Sequence, residues 1–182
     1  MSLVGFKAQN HPQQTAVAAG GSDDKIDDRA TTGDVFNPLM AEWGFTIDVA
    51  ASARNTKCER FYDRRTDGLA QSWAGERVWC NPPFSNLRPW VEKAWRETTT
   101  EVVVMLLPAN RCEQSFWQEL IESYRDRAGS PLTVRFLAGR LRFLSPHQTV
   151  TPPNGRPPFG CCLLVWDRRH PAPLNLFEGS AA

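Results

Sequence analysis

The sequence predicts an α/β fold, an open layered sheet with helices between its strands. Three observations carry this expectation. Apolar runs at about 45–50, 77–80, 102–107, 132–137 and 160–166 have strand length and β-branched or aromatic content. Segments with apolar residues at helical spacing lie between several of them. The run Glu101-Val102-Val103-Val104-Met105-Leu106-Leu107 is continuous rather than alternating, as in a central parallel strand buried on both faces. Strands alternating with helices read as a layered α/β sheet. With 182 residues, 41% of them hydrophobic, the chain is expected to build one domain around one core.

Taken in order, residues 1–30 are rich in Gln, Ala, Gly and Asp without a sustained period, and are expected to form a disordered or loosely attached arm. From Asp34 to Trp43, Val35, Phe36, Leu39, Met40 and Trp43 recur at helical spacing, with Phe36, Leu39 and Met40 facing the core. Thr32 or Gly33 is placed to cap this helix. Phe45 to Ala50 reads as a short buried strand with Asp48 at its carboxyl end. Residues 53–66 are polar and dense in arginine, and Asp67-Gly68 favours a turn. Trp73-Ala74-Gly75 turns the chain into the strand Arg77-Val78-Trp79-Cys80. Ser85 and Asn86 are candidate caps for a helix from about Leu87 to Thr98, with Trp90, Val91, Ala94 and Trp95 on one face.

After the central run, a helix over 113–127 places Phe116, Trp117, Leu120, Ile121 and Tyr124 inward. Leu132 to Leu137 is the next strand. In Gly139 to Phe143, Leu141 and Phe143 alternate with Arg140 and Arg142, giving one buried and one basic face. Residues 145–158 hold five prolines and His147 and read as a long loop, of the kind that often carries function. Phe159 to Trp166 is the last strand, 31–169 the expected domain, and 170–182 an irregular tail.

Composition narrows the function classes. No run of about 18 apolar residues predicts a membrane span, and no secretion signal is visible. The cysteines at 58, 80, 112, 161 and 162 are odd in number and lack CxxC spacing. They point to a reducing cytoplasm and to neither a disulfide framework nor a zinc site. Net charge is +1, but its distribution is uneven. Residues 129–169 carry Arg135, Arg140, Arg142, Arg156, Arg168 and Arg169 against Asp167, whereas 22–34 is acidic. A basic C-terminal half is a candidate face for phosphates.

The chemistry concentrates in Asn81-Pro82-Pro83-Phe84, between a strand and a helix. Open α/β sheets place their ligands at the carboxyl ends of strands. Pro82 and Pro83 have fixed φ and no N–H, so the turn is rigid and offers carbonyl acceptors. Asn81 adds a side-chain carbonyl oxygen. Two rigid acceptors suit an amine with two protons and leave its lone pair free in a third direction. Phe84 offers a flat face for a planar ring. The four residues read as a clamp for an exocyclic amine on an aromatic ring, a nucleobase above all. The alternative is a Pro-rich turn with Phe84 in the core. Cys80, just before the clamp, reads as a small buried hydrophobe.

Strand, NPPF and helix together resemble the catalytic motif of amino-methyltransferases that use S-adenosylmethionine. Asp48 to Ser52, Asn55 to Cys58, Asp67-Gly68-Leu69, Val78 to Phe84, Val104 to Ala109 and Gly139 to Phe143 resemble, in that order, the phage-type DNA adenine-N6 methyltransferase family. The resemblance spans roughly residues 30–168. It implies a small Rossmann-like methyltransferase sheet, mainly parallel, with helices on both faces. It also implies Asn81, Pro82, Pro83 and Phe84 as the catalytic clamp, with Asp48, Ala50, Asp67 and Asn81 beside the cofactor. Arg88, Arg111, Arg140 and Arg142 are the candidate contacts to DNA. The chain departs from the wider pattern at Ala50-Ala51-Ser52, where a glycine-rich turn is missing.

The expected reaction is methyl transfer to adenine N6 in DNA, with no metal, on a base flipped from the helix. Positioning is expected to dominate catalysis, since the sulfonium already activates the methyl group. Three other readings stay open. They are another planar amine as acceptor (cytosine N4 or a protein glutamine), a nucleic-acid-binding protein of this fold without cofactor, and an inert structural domain.

Overall fold

The computed structural model describes residues 30–144 and 157–170. In chain order these form strand β1 (Ala30–Thr31), helix α1 (Gly33–Trp43), and strands β2 (Ile47–Asp48), β3 (Arg60–Phe61) and β4 (Arg77–Cys80). Helix α2 (Arg88–Arg96), strand β5 (Val102–Pro108) and a short helix α3 (Ser115–Trp117) follow. The last elements are β6 (Leu132–Phe136), β7 (Phe143–Leu144) and β8 (Cys161–Asp167). Six strands make one sheet in the order β3-β2-β4-β5-β8-β6. The pairs β3/β2, β2/β4 and β4/β5 are parallel, and β8 runs antiparallel to both β5 and β6. The expected mainly parallel sheet is therefore present, with its antiparallel strands at one end. A separate two-stranded ribbon pairs Ala30 with Leu144 and Thr31 with Phe143.

Period-two alternation divides the sheet into two apolar faces. Val78, Cys80, Val103, Met105 and Leu107 turn to one side and meet Trp90, Val91 and Ala94 of α2, with Trp117 and Ile121. Trp79, Val104 and Leu106 turn to the other and meet Phe36 and Leu39 of α1. Helices thus cover both faces. That is why β5 reads as an unbroken apolar run, since all seven of its residues are buried. Each such aliphatic side chain contributes about 1.5–3 kcal/mol on burial. Under α1, the rings of Phe36, Phe45 and Trp79 lie 5.4–5.7 Å apart. Under α2, Trp73 stacks on Trp90 at 6.4 Å and donates its indole N–H to the Gly68 carbonyl at 2.9 Å.

Several expected elements differ. The strand expected at 45–50 is only two residues long, because the chain bends at Val49 and Ala50, although Phe45 and Val49 stay buried. The expected helix over 113–127 is broken. It starts as α3 and widens into a π-helical turn at Gln118–Glu122. A tertiary contact coincides with this turn: Trp95 donates its indole N–H to the Leu120 carbonyl at 2.8 Å. Tyr124, expected inside, is 48% exposed and rests against Trp95, and Met40 is also exposed. Neither Ser85 nor Asn86 caps α2, which starts after Leu87 with Pro89 in its first turn. Thr32 does begin α1, but through its carbonyl, which accepts from Val35 and Phe36. Ala30, assigned to the loose arm, is paired in β1. The rest of that arm, the loop at 145–156 with His147, and the tail from 171 lie outside the described residues.

Candidate active site

Strands β2 and β4 end side by side, and beyond their carboxyl ends lies a cleft of about 580 Å³. Its walls come from three loops and one helix. They include Val49, Ala50 and Ser52 after β2, Tyr62 to Arg65 after β3, Asp67 and Gly68, Pro83 after β4, and Trp90 of α2. Backbone bonds hold these loops together. Val49 donates to the Trp79 carbonyl, Tyr62 to the Asp48 carbonyl and Ala51 to the Tyr62 carbonyl, all at 2.9–3.1 Å. The volume lies in the range of small-molecule sites, and the lining mixes aromatic, acidic and basic groups.

Gly68 is what lets the second loop, after β3, close on the first. A Cβ at this position would stand 2.0 Å from the Val49 carbonyl oxygen. The close backbone approach that a glycine-rich turn after β2 would have given is here supplied from the facing loop. Asp67 adopts a left-handed φ of 53°, and its carboxylate accepts the Leu69 N–H at 3.1 Å. Asp-Gly thus makes the expected turn and also forms a wall of the cleft.

Asp48 is 3% exposed. Its carboxylate accepts the Lys57 N–H at 3.0 Å and the Ala50 N–H at 3.3 Å. Burial pushes its carboxyl up from 3.8 to about 6, against the pull of those two donors. The folded state therefore favours the protonated form. The stability this gives is full below about pH 4 and is lost as pH rises through about 6, a loss of about 3 kcal/mol. Asp48→Asn is expected to raise Tm at pH 7 and to match wild type near pH 4. Melting curves across that range check this, and a pH-independent difference would refute it.

The clamp follows directly on β4. Pro82 is buried, while Asn81, Pro83 and Phe84 are partly exposed. The Pro83 carbonyl accepts the Asn86 N–H at 3.2 Å, which tightens the turn into α2. Asn81 and Asp48 border a common void of about 10 Å³, with Thr31, Ala50 and Trp79, room for about one water. Pro83 borders the large cleft. Phe84 packs against both core clusters and meets Phe143 at 5.9 Å and Phe159 at 6.1 Å, edge to face. Phe84 is thus core on one side, as the alternative reading expected, and partly exposed on the other. Cys80 is fully buried, and burial drives its thiol far above the ordinary range, so it is no nucleophile.

The arginines divide into two sets. Arg135 forms a bidentate pair with Glu42 of α1 at 2.7 and 2.8 Å. Arg168 donates to Thr100 Oγ1 and the Ala94 carbonyl at 2.7 Å. Arg169 pairs with Asp167 and lies over the Trp43 ring. Arg88, expected to meet phosphate, is engaged by Glu92 and Glu119 and ties α2 to the segment after α3. Of the basic C-terminal stretch, these three arginines hold the fold together, and Arg156 lies outside the described residues. Arg111, Arg140 and Arg142 make no ion pair among the described residues; Arg140 is exposed and the other two half-buried. The sequence reading missed Thr31, Tyr62 and Trp90 as site neighbours, because they come from separate segments.

Among the described residues no helix is long and apolar enough to cross a membrane, and no cluster of three or more His, Cys, Asp or Glu is placed to hold a metal.

An open α/β sheet with a cleft over its parallel strand ends defines a layered α/β protein of the architecture that places ligand sites at those ends. Residues 21–179 match the family described as DNA N-6-adenine-methyltransferase (Dam), and the chain belongs to it. It is 36% identical over 84 residues to the DNA N-6-adenine-methyltransferase of Escherichia phage T1, covering 44% of this chain and 35% of that protein. It is 37% identical over 65 residues to the protein of the same name in Haemophilus phage HP1, covering 35% of this chain and 38% of that one. The aligned stretches thus span little more than a third of these curated relatives. Among solved structures, a Pyrococcus horikoshii protein described as an RNA methyltransferase superposes with a TM-score of 0.40 at 18% identity, covering 90% of this chain and 91% of that one.

Proposed function

We propose that this protein transfers a methyl group from S-adenosylmethionine to the N6 amine of adenine in DNA. The observation that carries the reading is that the rigid Asn81–Phe84 turn and the cleft at the strand ends adjoin through Pro83. Family membership supports the same reading. The cleft fits the cofactor in size and lining, and the approach permitted by Gly68 gives a backbone-walled cradle. Ala50 and Asp67 would hold it from the cleft walls, with Asp48 and Asn81 at the adjoining void. When bound there, S-adenosylmethionine supplies a methyl group activated by its sulfonium charge.

The chain's own residues then position the acceptor. Asn81 Oδ1 and the Pro82 carbonyl accept the two amine protons, which turns the nitrogen lone pair towards the cleft. Phe84 offers its ring to the flipped base. As the nitrogen–methyl bond forms and the methyl–sulfur bond breaks, leaving S-adenosylhomocysteine, the charge on the nitrogen rises, and both acceptors hold its protons more strongly until one passes to solvent. Such differential binding of the transition state is what accelerates a transfer. No side-chain nucleophile is needed.

Transfer of labelled methyl to unmethylated DNA, followed by nucleoside analysis, tests this. Label in N6-methyladenine is the expected result. Label in N4-methylcytosine or in protein would refute the substrate, and binding of DNA without binding of cofactor would leave only a nucleic-acid-binding fold.

A further inference from the structure

Two arginines next to the clamp bury polar atoms that nothing satisfies. Arg111 Nε and Arg142 Nε are both buried without a hydrogen-bond partner among the described residues. A buried donor left unpaired costs about 1–3 kcal/mol, and more when it is charged. By contrast, Arg77, Arg88, Arg125, Arg135 and Arg168 are held by carboxylates or carbonyls.

The fold brings both arginines to the clamp. β5 is the parallel neighbour of β4, with Cys80 opposite Met105, so the loop carrying Arg111 leaves the same end of the sheet as the turn at Asn81. Ala109 donates to the Gly160 carbonyl at 2.9 Å, and the Gly139 carbonyl lies within 3.7 Å of a Cβ built on Gly160. The loop after β5, the turn at 139–142 and the start of β8 therefore converge. Arg142 directly precedes Phe143, whose ring touches Phe84. Phe84 also meets Phe159, the neighbour of Gly160, so the backbone around both arginines converges near that ring, and among the described residues no carboxylate pairs with either arginine.

We infer that Arg111 and Arg142 form a phosphodiester site that grips the backbone next to the extruded nucleotide and so sets the base over Phe84. This rests on the proposed reaction and deepens it. The chemistry is that of a planar fork meeting phosphate oxygens, where the unpaired Nε becomes one of two donors. The pair would be positioning residues, since they touch the backbone rather than the reacting atoms. Arg140, exposed, would add only long-range attraction.

The test crosses two changes. The substrates are a native duplex rich in adenine and the same duplex with methylphosphonate, which is uncharged, on both sides of every adenine. The proteins are wild type, R111Q/R142Q and R111K/R142K. With wild type, the neutral backbone is expected to lower kcat/KM about 10- to 100-fold. R111Q/R142Q is expected to show a loss of that size on native DNA and little further loss on the neutral duplex, because contacts that act together are not additive. R111K/R142K, which keeps charge without the fork, should fall between. Binding measured by fluorescence anisotropy should lose about one to two from its log–log salt slope in R111Q/R142Q.

Losses that multiply across the two changes would overturn the site. So would weaker binding of S-adenosylhomocysteine in the variant, which would assign the pair to the cofactor carboxylate instead. If wild type methylates no DNA at all, the proposed reaction fails, and the anisotropy comparison of native and neutral duplexes still decides the phosphate site.

Discussion

Asn81→Ala is expected to lower methyl transfer by on the order of 100-fold or more with the fold intact. The size is that of removing one positioned hydrogen-bonding group from a transition state. The argument is geometric. Two acceptors define the plane in which the amine is held, and with Pro82 alone the nitrogen can rotate away from its attack line. Asn81 is partly exposed and outside both core clusters, so its loss should cost little stability. The decisive comparison is kcat against KM for wild type and variant, with melting temperature as the control. The loss should fall on kcat, because the interaction strengthens as charge develops. Unchanged turnover would refute the clamp, whatever the DNA affinity.

Gly68→Ala is expected to damage both stability and cofactor binding. The added Cβ would meet the Val49 carbonyl oxygen at 2.0 Å, far inside contact distance, and the obstacle is backbone rather than a flexible side chain. The loop must move away, and the Trp73 indole bond to the Gly68 carbonyl must stretch with it. Overpacking of this kind costs about 1–3 kcal/mol. For a chain of this size that corresponds to a fall in Tm of roughly 3–10 °C. Because the same loop forms a wall of the cleft, S-adenosylhomocysteine affinity should fall as well, measurable by calorimetry. A variant with wild-type Tm and affinity would show that the loop relaxes freely and that the glycine has no role in building the cleft.

What the sequence made legible follows from how local each signal is. β5 could be read because burial on both faces leaves an unbroken apolar run. Helix α1 could be read because one buried stripe recurs at 3.6 residues. The Asn81–Phe84 turn was legible since it needs only four contiguous residues. The cleft was not, because Ser52, Tyr62, Gly68, Pro83 and Trp90 meet only after folding. Gly68 was visible as a turn residue, yet its tightest constraint is a carbonyl in another loop. β1 has two residues and no period, and its partner lies far along the chain. The π-helical turn coincides with an indole bond from α2, which no window around Leu120 contains. Arginine roles were the least local of all. Arg135 looked like its neighbours, and only Glu42 on α1 sets it apart.

The position of β8 bears on how the chain emerges from a ribosome. Among the described residues, the last strand in sequence is not at the sheet's edge but lies between β5 and β6. Until Asp167 has been made and has left the exit tunnel, one edge of β5 has no partner, and that edge belongs to the most apolar stretch of the protein. The parallel half can assemble early, while the antiparallel half must wait for the final insertion. Nascent chains in that interval present a template for pairing with one another, which makes this the stage most exposed to aggregation and most in need of chaperones. Completion of the sheet thus depends on a strand made late in translation.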